Sequence, residues 1–395
     1  MRNVAGIAIA WAVGGCFSDP AADGSGDSSE ASTGTPSGAT SEPGGPTTDA
    51  TSGTTAVDTT AADDTTTGAP GGPVLQRVSL STNVAIEPIA DIPVLLRLDT
   101  DVFDYAAALP DGADLRIFAE DQRTQLPYEV EFWNPTGVTF VWVRLPDVEA
   151  GADTVIFLAY GDPTLPLPPP STQVWSAGYE AVWHLPALTD STGNGHDLVA
   201  TQMPKTVVGV VGDAVNFEAG DDPLTADDMA TALSFGSIAT IEAWVSTQTN
   251  APLGGGQHRV AVDHWPNYRL VSLSGSGMSF PQLLSQADAM TQFVAVPSPL
   301  VVDEWTRLEG SVDTTTGTNN MDWCLRTSLG MSNCNGIPTS APDASPSPVQ
   351  IGDPDLLAYV DEVRFSTVRR SVSWGAVQDR SVLVPDFATF DAPGS

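Results

Sequence analysis

The sequence predicts an all-β protein: two β-sandwich domains following an N-terminal signal and a disordered linker. Three observations lead there. Short segments rich in β-branched and aromatic residues recur from about residue 92 onward, each bounded by Gly, Pro or Asp. No segment sustains an apolar repeat of 3.6 residues, as an amphipathic helix would. Residues 17–73, by contrast, have almost no large apolar side chains. A chain of 395 residues is long enough for two or three domains.

The chain starts with Met1-Arg2-Asn3, a short basic stretch, followed by an apolar run from Val4 to Gly15. That run is too short to span a bilayer but has the length of a secretory h-region. It ends in Val13-Gly14-Gly15-Cys16, which resembles a bacterial lipobox. The resemblance implies a signal peptide over 1–15 and a diacylated Cys16 at the mature N-terminus. Each buried methylene contributes ~0.8 kcal/mol, so several acyl chains hold a protein stably on a membrane. Phe17 follows the cysteine, where an Asp would mark retention at the inner membrane, so the expected location is the outer membrane. A buried helix carrying a chance cysteine is the alternative.

Residues 17–73 are Thr, Ser, Gly, Ala, Pro and acids, with Phe17 and Val57 the only larger apolar residues. Such a segment cannot bury enough surface to offset chain entropy, so 16–73 is expected to be a disordered tether. Its mean span as a coil is ~40 Å and its fully stretched length ~190 Å. The whole chain has 49 acidic and 15 basic residues, a net charge of -34. That balance excludes nucleic acid as a partner, because phosphates need a basic surface. It also excludes docking on anionic lipid through a polybasic patch. No apolar run reaches the roughly 18 residues of a membrane-spanning helix.

Strands are expected at 92–98, 114–118, 138–145 and 154–160 in a first domain spanning 74–165. A Pro-rich linker over 166–174 then leads into a second domain, 175–395. There the candidate strands are 179–185, 214–217, 240–245, 259–263, 268–273, 305–312, 321–325, 348–351 and 357–365. Gly275 to Ser298 reads as a long loop. Cys324 and Cys334 flank turn chemistry at Leu329-Gly330 and Asn335-Gly336, which fits a disulfide across a hairpin in an exported protein.

Two resemblances sit on this frame. Asp111-Gly-Ala-Asp-Leu-Arg116, Leu126-Pro-Tyr-Glu-Val-Glu-Phe-Trp133, Val141-Trp-Val143 and Tyr160-Gly-Asp162 occur in that order. They resemble a bacterial β-sandwich module of unknown function, which often precedes laminin-G-like domains and also occurs with ExbB/MotA-type proton-channel proteins. The second resemblance rests on six segments. They are Tyr179–Leu185, Asp190–His196, Gly212–Phe217, Ile241–Val245, Glu304–Arg307 and Val360–Phe365. Their order is similar to the laminin-G-like, concanavalin A-like jelly rolls of bacterial surface proteins. This implies glycan or protein binding, often with one structural calcium ion, and no organic cofactor.

The candidate site residues follow. Asp361 shares strand parity with Tyr359, Val363 and Phe365, and a carboxylate on an apolar face must be paired, hydrogen-bonded or metal-bound. The jelly-roll resemblance points to calcium held by Asp361 and Glu180; a salt bridge to Arg364 or a bond capping a loop are the alternatives. Asp190, Asn194 and His196 lie in a Gly-rich turn and are either ligands or the turn's own fastenings. Trp265 and Tyr268 flank a hairpin tip, as a sugar-stacking platform or as an apolar latch. Trp183, Trp244 and Trp305 are expected in the core. Asp114/Arg116 and Glu129/Glu131 alternate on strand faces and are either a ligand site or, as the favoured reading, cross-strand ion pairs.

No carboxylate pair with glucanase spacing, sialidase box, H-E-x-x-H, G-x-S-x-G, Walker loop or dinucleotide fingerprint occurs. The four histidines, 184, 196, 258 and 264, show no ligand spacing. The expected function is therefore non-catalytic recognition of a glycan or envelope protein by a lipid-anchored, adhesin-like protein. A structural part of an envelope assembly linked to ExbB/MotA-type systems, or an unrecognised glycan hydrolase, are the alternatives.

Overall fold

The computed structural model describes residues 73–227, 232–251, 257–274, 280–315, 321–337 and 342–393. The expected signal peptide, Cys16 and the tether up to residue 72 lie outside the described residues. The described residues all belong to one compact unit, Thr66–Ser395.

Six strands come first: β1 (Val74–Leu80), β2 (Ile89–Leu98), β3 (Arg116–Ala119), β4 (Tyr128–Phe132), β5 (Thr139–Val148) and β6 (Thr154–Tyr160). Then come β7 (Tyr179–Trp183), β8 (Lys205–Val208), β9 (Asp213–Phe217), β10 (Leu224–Ala226), β11 (Ile238–Thr247), β12 (His258–His264) and β13 (Tyr268–Ser274). They are followed by β14 (Gln282–Ala287), β15 (Met290–Ala295), β16 (Trp305–Asp313), β17 (Met321–Thr327), β18 (Ser332–Ile337), β19 (Val349–Ile351) and β20 (Ala358–Ser366). One helix, α1 (Val372–Leu383), and a last strand, β21 (Ala388–Phe390), close the described chain.

In the first sandwich, the sheet β21-β1-β6-β3 faces the sheet β2-β5-β4. In the second, an eight-stranded sheet ordered β18-β17-β16-β11-β20-β9-β8, with β7 also on β20, faces the sheet β10-β19-β12-β13-β14-β15. All pairings are antiparallel, so each strand alternates between two faces. On β5, Val141, Val143 and Leu145 fill the first core, while Trp142 on the opposite parity is also fully buried. Something must cover that second face, and it is the outer face of the eight-stranded sheet. Trp142, Trp175, Val182 and Trp244 belong to the same apolar cluster as the first sandwich's core. The second core, containing Trp183, Phe217, Tyr268, Leu283 and Phe365, is separate.

Four expectations need correction. Residues 275–298 are not one long loop: β14 and β15 form a hairpin within them, paired from Gln282–Ala295 to Ala287–Met290. The Pro-rich linker of 166–174 is more than a connection. Its end winds into a short 3-10 turn, Ser171–Trp175, that buries Trp175. The C-terminus does not stay with the second sandwich, because β21 pairs with β1 of the first. And α1 was not foreseen. Its buried face carries Ser373, Gly375, Gln378 and Ser381 beside Trp374, Val377 and Val382, so it shows little apolar periodicity. Those serines are buried because they complete backbone bonds of the first sandwich: Leu95 N–H donates to Ser381 Oγ and Ile86 N–H to Ser373 Oγ. Ser371 caps the helix by accepting from Trp374 N–H.

Cys324 and Cys334 are bonded and sit directly opposite one another on β17 and β18, as the hairpin reading requires.

Candidate functional site

The junction between the sandwiches holds a buried polar cluster. His184, just past β7, is its centre, and its side chain is 6% exposed. Its Nδ1 lies 2.6 Å from Glu362 Oε1 and 3.6 Å from Glu131 Oε2, while Nε2 lies 3.4 Å from Glu129 Oε2. Glu129 and Glu131 project from β4 of the first sandwich; Glu362 comes from β20 of the second. Each glutamate has further partners. Trp175 Nε1–H and Ser191 O–H donate to Glu129. Trp142 Nε1–H donates to Glu131 over 2.8 Å. Arg364 donates to Glu362 and lies over the rings of Trp142 and Trp175, at 4.3 and 4.9 Å. A desolvated guanidinium gains from such ring faces.

The electrostatics follow from burial and surplus negative charge. Burial, then the neighbouring Glu362 charge, pushes the Glu131 carboxyl up to about 7. Burial alone would lower the His184 imidazole, but the charges of Glu362 and Glu131, the nearby Glu129 and the bond to Glu362 hold it well above its ordinary value. Burial likewise opposes ionisation of Glu362, yet His184 and Arg364 keep it below the usual carboxylate range.

A β-bulge makes this cluster possible. Glu242 of β11 stands opposite Arg364, but Trp244 stands opposite Asp361, so β20 carries one extra residue between them. Glu362 sits at the bulge with φ +49°. Before it, Ala358 and Val360 face the second core; after it, Val363 and Phe365 do. Asp361, Glu362 and Arg364 therefore all point toward the junction, and Asp361 does not share the apolar face of Val363 and Phe365. Its carboxylate closes a loop instead. Oδ2 accepts from Val210 and Val211 N–H at 3.0 and 3.1 Å, and Oδ1 accepts from Glu362 N–H. Burial, then Glu362 and Glu131, raises its pKa well above the ordinary value. Gly209 must be glycine here, since a Cβ would come within 2.5 Å of Asp361 Oδ2.

Asp361 and Glu180 are not brought together. Glu180 lies beyond the Ala181–Phe365 pair, and Asp361 lies on the far side of the Trp183–Val363 pair. With both Asp361 oxygens committed to amides, the two residues do not make the oxygen cage that calcium needs. Glu180 Oε1 instead lies 3.4 Å from His196 Nε2. Asp190 is an internal fastening of its turn, accepting from Val182 N–H, Thr192 N–H and O–H, and His196 N–H. Asn194 donates to the Glu180 carbonyl. Tyr268 is fully buried, stacked on Phe235 at 4.5 Å and near Phe365 at 5.9 Å, so it offers no surface to a sugar. Trp183 and Trp244 are buried and Trp305 is half-buried. Asp114 accepts from Leu109 and Gly161 N–H, and Arg116 donates to backbone carbonyls, so that pair does not join either.

The histidine spacing hid His184, whose partners lie 53, 55 and 178 residues away. One signal was present: two successive acids, Asp361-Glu362, with Arg364 close behind, inside a strand whose other residues are mostly apolar.

A second arrangement lies on the outer face of the six-stranded sheet. Register places Gln350, Asp263, Arg269, Leu284 and Phe293 in one cross-strand row. The row beside it, Ile351-Val262-Leu270-Leu283-Val294, faces the core. Phe293 is 46% exposed. Arg269 pairs with Asp263 at 2.7 Å and lies 5.2 Å from the ring of half-buried Trp265. Trp265 also packs against Val260, Val271 and Leu284.

Comparison with known proteins adds the following. Residues 111–174 match a domain of unknown function, DUF2341. The match contains all four motifs quoted above for the first sandwich, and Glu129, Glu131 and Trp142 with them. No curated protein matches the sequence. Among solved structures, the binding domain of Paraclostridial Mosquitocidal Protein 1 is similar at 12% identity, over 52% of each chain, with a TM-score of 0.42. Domain 4 of AbnA, an extracellular arabinanase from Geobacillus stearothermophilus, in complex with arabinotriose, is similar at 19% identity. That likeness covers 51% of this chain and 98% of the domain, with a TM-score of 0.37. The botulinum neurotoxin serotype D ligand binding domain in complex with N-acetylneuraminic acid follows at 8% identity, 51% and 50% coverage, and a TM-score of 0.40. The likeness spans about half the length of each toxin structure.

Proposed function

We propose that this protein is a non-catalytic recognition module that binds glycan on the outer face of its six-stranded sheet, held at the outer membrane by lipid on Cys16. The observation that supports it is the row Asp263-Arg269-Leu284-Phe293 with Trp265 beside it. A sugar presents C–H faces to rings and hydroxyls to charged groups; here the exposed Phe293 ring and half-buried Trp265 flank the partly exposed Asp263–Arg269 pair, with Leu284 buried in the row. Among the described residues, the first sandwich and α1 cover much of the outer face of the eight-stranded sheet.

Glycan-array binding by the soluble chain from residue 17, in calcium and in EDTA, tests the reading. Binding to one glycan class, weakened at least tenfold by Phe293→Ala or Trp265→Ala, is expected. A blank array in both buffers, or binding unchanged in both variants, would overturn it. The lipid anchor is tested separately: Cys16→Ser should release the protein from the membrane fraction, and unchanged fractionation would rule the anchor out.

A further inference from the structure

We propose that Glu131, His184 and Glu362 form a binding site for one divalent ion of the zinc class, which ties the two sandwiches together at their junction. The donor atoms, one from each residue, all lie within 4.8 Å of one another. They come from β4, from the end of β7 and from β20, so no single segment of chain contains the site. An ion there would be reached from three sides by groups already held in place.

Those groups are oriented by their neighbours, as ligands of a metal generally are. Trp142 holds Glu131 and Arg364 holds Glu362. His184 Nε2 is buried and completes no hydrogen bond, although Glu129 Oε2 stands 3.4 Å from it. Ligation through Nδ1 leaves the imidazole proton on Nε2, facing that carboxylate, which Trp175 and Ser191 fix from behind. This carboxylate–histidine–metal arrangement sets both the tautomer and the ring orientation.

Charge points the same way. Four carboxyl groups, Glu129, Glu131, Asp361 and Glu362, crowd around His184 and Arg364, with Arg97 also within electrostatic reach of Glu131. A divalent ion between Glu131 and Glu362 offsets that surplus where solvent cannot. The donor set also selects the ion. Calcium takes six to eight oxygens, whereas imidazole with two carboxylates suits zinc and its neighbours in four-coordination. A water molecule or a second carboxylate oxygen supplies the fourth position.

The test uses the soluble chain from residue 17, stripped with EDTA and titrated calorimetrically with Zn2+, Co2+ and Ca2+, alongside metal analysis of the protein as purified. One equivalent of Zn2+ or Co2+ should bind, with a rise in Tm of several degrees, and Ca2+ should give neither. Bound Co2+ should show the visible absorption of a low-coordinate nitrogen–oxygen site. Glu131→Gln, which keeps an oxygen to accept from Trp142, should weaken Zn2+ binding by at least tenfold without loss of the fold. The absence of saturable Zn2+ and Co2+ binding by the wild-type chain would overturn the proposal. So would binding that Glu131→Gln leaves unchanged, since the ion would then sit on surface carboxylates.

Discussion

The outer face of the eight-stranded sheet carries two buried polar clusters, and they are built on opposite principles. Around Arg307, one guanidinium serves three carboxylates: Glu242 and Glu309 at 2.7 Å each, and Asp379 of α1 at 2.5 Å. Arg326 reaches Glu309 from the other side at 3.2 Å. Glu242 and Glu309 stand directly opposite on β11 and β16, where like charges repel, and Arg307 neutralises both. Burial would lower the Arg307 pKa, but Asp379, Glu242 and Glu309 hold it well above its ordinary value. Around His184, by contrast, the group at the centre of the carboxylates is a compact imidazole, and the Arg364 guanidinium reaches Glu362 from one side. A guanidinium fork fastens a helix to a sheet; an imidazole among carboxylates has the donor set of a metal centre. The difference teaches that two ionic clusters of similar burial on one sheet need not do the same work.

The largest expected effect is on the arginine side. Arg307→Met strands Glu242, Glu309 and Asp379 in a buried site, and breaking such a network costs about 3–5 kcal/mol. Urea denaturation should show that loss, and a loss under ~1 kcal/mol would mean that water enters the cluster. On the histidine side, Trp175→Phe keeps the ring but removes the donor to Glu129. The expected cost is about 1.5–3 kcal/mol, the range for a hydrogen bond to a charged group. An equal cost for the two variants would erase the contrast between the clusters.

Asp353 sharpens the comparison from outside both clusters. Burial, opposed by the bond from Val260 N–H, raises its carboxyl from 3.8 to about 6. The folded state therefore binds this proton more tightly than the unfolded chain does. The stabilisation is full below pH ~4 and is lost as pH rises through ~6. Asp353→Asn removes the titration while keeping an oxygen for Val260. The variant should match wild type at pH 4 and exceed it by about 1–2 kcal/mol at pH 8, after allowance for solvent screening. Thermal melts across that range check it, and parallel curves would contradict it. The smallest stability effect belongs to Phe293→Ala, at under ~1 kcal/mol because the ring is half in solvent.

The strands and the all-β class were legible in the chain's local chemistry. Alternation, β-branched residues and turn chemistry are local, and thirteen candidate strands recur in the structure within a few residues of their expected ends. The Cys324–Cys334 hairpin was equally local. How the strands are shared between sheets and where the charges meet depended on packing between distant segments. The helix α1 hides its packing in serines and a glycine, whose burial makes sense only against β2 and Arg307. β21 joins a sheet whose other strands lie more than two hundred residues earlier. Tyr268, a candidate at a hairpin tip, is drawn into the core by stacking on Phe235 and Phe365. Glu129 and Glu131 looked like cross-strand partners for cations on their own sheet. They meet His184 because a bulge at Glu362 turned two acids to the same side and the second sandwich closed over them. Periodicity records which face a side chain takes within its own strand; what covers that face is set by packing between distant segments, to which periodicity is blind.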